Sequence, residues 1–146
     1  VSAHATNFHG HEGIEDVATA TVRFTSGALG TLASIWHDNL ARPSLRRVEV
    51  FCERRDITIE GDDWFGPVAW SNTDGDSHSL GGDELVAAVE PLRDGSDNPD
   101  ECFVRAVLAG TAATPGFDDA VAAHRIIQAM YISAGRNGDS VEVGGG

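Results

Sequence analysis

Hydrophobic and polar residues alternate with period two through the first half of the chain and take up the helical period in the second. Residues 15–37 read EDVATATVRFTSGALGTLASIWH. Before Ser26-Gly27, Ala18, Ala20, Val22 and Phe24 fall on one face and Val17, Thr19, Thr21 and Arg23 on the other. After it, Leu29, Thr31, Ala33 and Ile35 separate in the same way from Gly30, Leu32, Ser34 and Trp36. Alternation on both sides of a Gly-containing turn predicts an antiparallel hairpin, because Gly supplies the positive φ a tight turn needs. Residues 1–8 read as a further strand. Residues 45–52 and 55–60 read as a second hairpin, joined by a turn without the usual Gly or Asn. Residues 64–71 suggest a short strand interrupted at Gly66-Pro67, and residues 140–143 a last one. Residues 38–44 form a polar connection in which Pro43 forbids a central strand. Residues 61–63 read as a turn, and residues 72–82, turn-like throughout, as a mobile loop.

Asp83 is placed to cap a short helix with Leu85, Ala88, Val89 and Leu92 on one stripe. Asn98-Pro99-Asp100-Glu101 is a stronger start signal: a cap, Pro at the first helical position, then acids at the positive end of the dipole. Phe103, Val104, Val107 and Leu108 form that helix's stripe, and Gly110 stops it. A long helix is expected over 118–134, burying Ala120, Ala123, Ile127, Met130 and Ala134, with Ile126 alongside. Strands first and helices afterwards predict an α+β domain. It would be a mostly antiparallel, mixed sheet of about six strands with about two to three helices packed on one face, in a single domain over 1–146.

With 146 residues, 41% of them hydrophobic, the chain is long enough for its own core. Its formal charge of −13 opposes nucleic acid and anionic membranes as partners. No apolar run of about 18 residues is present, so no membrane-spanning helix is expected. Cys52, in an expected strand, and Cys102, in an expected helix, make no disulfide framework; a reduced, cytoplasmic setting follows. All ten basic residues are Arg. Chemistry that needs a lysine therefore cannot be carried by this chain alone. Val1 already lies in an alternating stretch, as expected of a piece of something longer.

His9, His11 and Glu12 are close enough in sequence to suggest a metal, but a third spaced ligand is lacking, and a flexible polar surface loop is the plainer reading. Trp36-His37-Asp38, with Arg42, Arg46 and Arg47 nearby, combines an aromatic, an imidazole and guanidinium groups. Such a set binds polyols or carboxylates by stacking and paired hydrogen bonds. The bland alternative is a sheet-edge cluster paired with surface acids. Trp36, His37 and Arg42 are the candidate substrate-binding residues. His124, Arg125 and Tyr131 read as the solvated flank of a packed helix, and Cys102 as core. Nucleophile-elbow, zinc-protease, paired-cysteine, P-loop and dinucleotide-binding motifs are all absent, so no catalytic, cofactor-binding or metal residue is assigned.

One ordered set of segments resembles a known pattern. Glu15-Asp16-Val17-Ala18, Val22-Arg23-Phe24 and Ser26-Gly27-Ala28-Leu29-Gly30-Thr31-Leu32 resemble the hairpin in the C-terminal domain of the Gfo/Idh/MocA oxidoreductases, the relatives of glucose-fructose oxidoreductase and inositol dehydrogenase. Arg47-Val48-Glu49-Val50-Phe51 resembles the family's next strand, and Phe103 with Gly110 its F-to-G helix. Residues 119–133, through Asp119-Ala120, His124-Arg125-Ile126-Ile127, Ala129, Tyr131 and Ser133, look like its last helix. Gly138 and Val141 resemble its closing G-x-x-V. The turn Glu53-Arg54-Arg55 departs from the family, which often has Gly there.

The resemblance covers nearly the whole chain and implies an NAD- or NADP-dependent enzyme acting on a sugar, inositol or related polyol. In such enzymes an N-terminal Rossmann domain binds the nucleotide and a Glu-Lys-Pro motif supplies the catalytic lysine. An Asp/His pair follows in a D-x-G-x-H-x-x-D stretch. None of these is in the chain, which would begin just downstream of them. It is then expected to supply part of the substrate-pocket wall, to form homo-oligomers through an open sheet face, and to be inactive alone. A standalone, non-catalytic scaffold or dimerisation module is the alternative, and a metal-dependent binding loop through His9, His11 and Glu12 a third.

Overall fold

The computed structural model describes residues 1–36, 45–61, 66–92 and 99–144. The first sheet consists of β1 (Ser2–Thr6), β2 (Val17–Arg23) and β3 (Leu29–Ile35), in that order. The second consists of β4 (Arg46–Phe51), β5 (Arg55–Gly61), β6 (Val68–Asn72) and β7 (Ser77–Leu80). Three α-helices follow among the described residues: α1 (Gly82–Val89), α2 (Pro99–Ala109) and α3 (Phe117–Ala134). All strand pairing is antiparallel, and the fold is α+β. The strands divide between two sheets because periodicity decides which face a residue takes, not which strand edges meet. The chain makes two compact units, one of Val1–Asp38 with Phe103–Gly146, the other of Asn39–Cys102. No described helix is long and apolar enough to cross a membrane.

In the first unit, the β2–β3 hairpin pairs Val17 with Ile35 and Arg23 with Leu29. Its turn closes through Phe24 N–H to the Ala28 carbonyl at 2.9 Å, and Gly27 sits at φ 91°. The Phe24 ring covers Gly30, where an added Cβ would come within 3.3 Å of it. An aromatic lying over a strand glycine shields the backbone that the glycine leaves bare.

Helix α3 packs against β1. Its buried residues are Ala129 and Ser133, and those of the sheet are Ala3 and Ala20. The stripe expected to be buried is not: Ala120, Ala123 and Ile127 are exposed, as is Ile126 alongside, and Met130 and Ala134 are half-buried. Ala129 and Ser133 turn inward, where their small side chains let the helix and strand backbones approach closely. Ser133 is wholly buried and bridges two segments. Its Oγ accepts the Ala3 N–H at 2.8 Å and donates to the Asp139 carbonyl at 2.7 Å. The strand expected over 140–143 does not form. Val1 and Val141 exchange one reciprocal pair of backbone hydrogen bonds, each 2.8 Å, and a single rung is not a ladder.

The second unit holds three further departures. Within the expected mobile loop, Ser77–Leu80 forms β7, because Gly75 at φ 94° reverses the chain and Asn72 N–H reaches the Asp76 carbonyl at 2.9 Å. His78 and Leu80 then lie opposite Trp70 and Val68. Helix α1 is capped by Gly81 without a side-chain bond, and Asp83 sits inside its first turn. Cys52, expected in a strand, lies just past β4 and is exposed; Cys102 lies in α2, and both thiols are free. The hairpin turn lacking Gly closes through Cys52 N–H to the Arg55 carbonyl at 2.8 Å.

Candidate functional site

Asp16 precedes β2, the central strand of the first sheet, and joins the ends of its neighbours. Its N–H donates to the Thr6 carbonyl at 3.1 Å, and its carbonyl accepts the Trp36 N–H at 2.7 Å. The side chain is only 3% exposed. Burying a carboxylate is costly unless donors surround it, and here they do. Phe8 N–H lies 2.9 Å from both oxygens, and His9 contributes its N–H at 2.7 Å and its ring Nδ1 at 2.5 Å. Desolvation pushes the Asp16 pKa up, but the backbone N–H groups of Phe8 and His9, together with the imidazole, outweigh it. The net direction is below the ordinary aspartate range.

The loop after β1 is braced from its other side by Asn7. Asn7 Oδ1 accepts N–H groups from Gly10 at 2.6 Å and His11 at 3.2 Å, and its Nδ2 donates to the His11 carbonyl. Gly10 and Gly13 take φ values of 76° and 71°, which this tight path needs. The His9 and His11 rings stack 6.3 Å apart, inclined by 26°. A segment read as flexible is therefore tied at both ends. No group of three or more metal-ligating side chains comes together among the described residues, so the metal alternative through His9, His11 and Glu12 gains no support.

Of the candidate substrate-binding residues, Trp36 stands at the end of β3, backbone-bound to Asp16, with 73% of its surface exposed. His37 and Arg42 lie outside the described residues, as do Pro43, Trp64 and the expected helix cap Asn98. Arg47 is in the second unit, engaged by Glu49 at 2.7 Å and Glu60 at 3.7 Å. Tyr131 was read as a solvated flank; its hydroxyl donates to the Glu15 carboxylate. That bond lowers the Glu15 pKa and raises that of Tyr131. The pair borders a groove of about 260 Å³ whose other lining is mostly apolar, including Ala5, Ala18, Leu32 and Ile127.

Sequence reasoning passed over Asp16 as a structural anchor. The signal was there: an acid at the mouth of a strand, seven positions after a histidine and across a loop whose N–H groups needed an acceptor.

Each of the three described α-helices carries two acids in its first turn (Asp83 and Glu84, Asp100 and Glu101, Asp118 and Asp119), which would repel a pyrophosphate. In the second unit, the turns at 52–55 and 72–74 border a recess of about 600 Å³. Arg54, Arg55, Glu53 and Asp74 all line it, so the recess selects no sign of charge. No family model, curated protein or solved structure matches the chain.

Proposed function

We propose that this chain is the substrate-binding and oligomerisation part of an NAD- or NADP-dependent oxidoreductase acting on a sugar, inositol or related polyol. The nucleotide site and proton-transfer lysine would be supplied from outside these 146 residues. The resemblance in the hairpin and the last helix is the basis of this reading. One observation supports it: residues of those separate landmarks are joined in the first unit, Glu15 to Tyr131 by a hydrogen bond spanning 116 positions. Within the hairpin landmark, Phe24 lies over Gly30.

The sheet face opposite α3 carries Val17, Thr19, Thr21 and Arg23 beside Leu29, Thr31, Ala33 and Ile35. Leu29 and Ile35 are 72% and 61% exposed. An open, semi-polar sheet face of this kind suits a wet interface with a second copy. Such a face would serve the scaffold alternative equally, so self-association does not separate the two readings.

The purified chain is expected to bind neither NAD nor NADP and to turn over no polyol, since it holds no lysine. Calorimetric titration with each nucleotide and an absorbance assay at the reduced-nicotinamide band test this. Nucleotide binding or turnover by the chain alone would overturn it. A coding region upstream with a dinucleotide fingerprint and a Glu-Lys-Pro stretch would favour the oxidoreductase over the scaffold.

A further inference from the structure

We propose that the end of the three-stranded sheet, where Asp16 holds His9, is a subsite for a hydroxyl-rich ligand, with His9 Nε2 accepting a hydrogen bond from a ligand hydroxyl. The choice of a sugar or polyol as that ligand rests on the oxidoreductase reading above; the geometry of the imidazole does not.

An ionised carboxylate only accepts hydrogen bonds. At 2.5 Å from Asp16 Oδ2, His9 Nδ1 must therefore carry the hydrogen. In the neutral ring, Nε2 is then a bare acceptor, its direction fixed by the partner on the opposite nitrogen. The His9 side chain is 31% exposed while Asp16 is 3% exposed, so the acid is hidden and the imidazole is offered. Among the described residues nothing bonds to Nε2.

The bonds that orient Asp16 also fix two aromatic residues beside it. Phe8 gives its N–H to the carboxylate and Trp36 gives its N–H to the Asp16 carbonyl. Both side chains are largely exposed, at 75% and 73%. Exposed aromatic rings receive the C–H faces of sugar rings, and an oriented acceptor then selects a hydroxyl.

Long-range proton–nitrogen NMR on the 15N-labelled 146-residue chain tests the proposal, with myo-inositol and D-glucose as probes. The expected result is a His9 ring protonated at Nδ1, with the Nε2 and Trp36 indole signals moving on addition of a probe while His78 and His124 stay still. His9→Gln should weaken the probe's affinity roughly tenfold, the scale of one lost hydrogen bond. Asp16→Asn should remove the tautomer preference; if that variant does not fold, His9→Gln keeps Asp16 and its backbone donors and carries the test. A ring protonated at Nε2, or His9 signals unmoved by both probes, would overturn the proposal. Nucleotide binding by the same sample sinks the oxidoreductase reading alone, leaving the tautomer result standing.

Discussion

The two sheets differ in what they bury. In the first, Ala3 and Ala20 are buried on the face where α3 lies close through Ala129 and Ser133, and Ala18 beside them is half-buried. In the second, one face gathers Val48, Val50, Ile57, Ile59, Val68, Trp70 and Leu80, far more apolar surface. Yet Val48 and Val50 remain 53% and 45% exposed, and no described helix lies along that sheet as α3 lies along the first. Hydrophobicity supplies the drive to be covered; it does not supply the cover. Small side chains with a helix pressed on them bury more completely than large ones without one. The first unit also secures its contacts with buried polar bridges, at Asp16 and Ser133. In the second, the Arg47 pairs with Glu49 and Glu60 are exposed.

This contrast is open to attack at graded cost. Ser133→Val should be the most damaging. It leaves the buried Ala3 N–H without an acceptor and crowds the helix–sheet contact, for a loss of about 3 kcal/mol in urea unfolding. An unchanged midpoint would mean that Ser133 is no bridge. Asp16→Ala should come next, since it strips the acceptor from Phe8 and His9. Because the folded Asp16 pKa is lowered, its stabilising effect is full above the ordinary aspartate range and fades as pH falls through the folded value. Wild type should therefore lose part of its advantage over the variant in acid, and a pH-independent difference would contradict the carboxylate's role.

Leu29→Arg combined with Ile35→Arg should shift sedimentation from dimer or larger species to monomer while leaving the melting temperature close to wild type. A wild-type chain already monomeric at high concentration would remove the open face as an interface. Smaller still is Tyr131→Phe. With the hydroxyl gone, the Glu15 pKa should rise toward its ordinary value, measurable by carbon-detected NMR titration. Arg47→Ala should change the unfolding midpoint immeasurably, because exposed pairs contribute little. A clear destabilisation there would show that the second sheet depends on its charged face after all.

Much of this architecture was legible from residue patterns. The hairpin at 17–35 follows from alternation around Ser26-Gly27, and α3 starts within one residue of the expected position. The antiparallel α+β class follows from strands preceding helices. β7 was hidden because Ser77, His78 and Ser79 look like loop residues until Trp70 and Val68 stand opposite His78 and Leu80. The stripe on α3 was misjudged for the converse reason. Periodicity puts Ala120, Ala123, Ile127, Met130 and Ala134 on one stripe, but full burial falls on Ala129 and Ser133, the residues close against the sheet.

Near the candidate site, the alternation of β3 puts Trp36 at a strand end, where it stands. Asp16 and the Glu15–Tyr131 bond were not legible in this way, although both acids stood in plain sight at the start of β2. The sequence by itself determined which residues alternate, where glycines permit reversals, that these residues carry no lysine chemistry of their own, and how strongly negative the chain is. These are local or additive properties. Only the tertiary structure decided that Ala129 and Ser133 face inward, that the strands part into two sheets, and that His9 is held by a buried aspartate. Each of those depends on what stands opposite, and a residue's partner across a fold is set by close packing and hydrogen-bond satisfaction over distances the chain order does not encode.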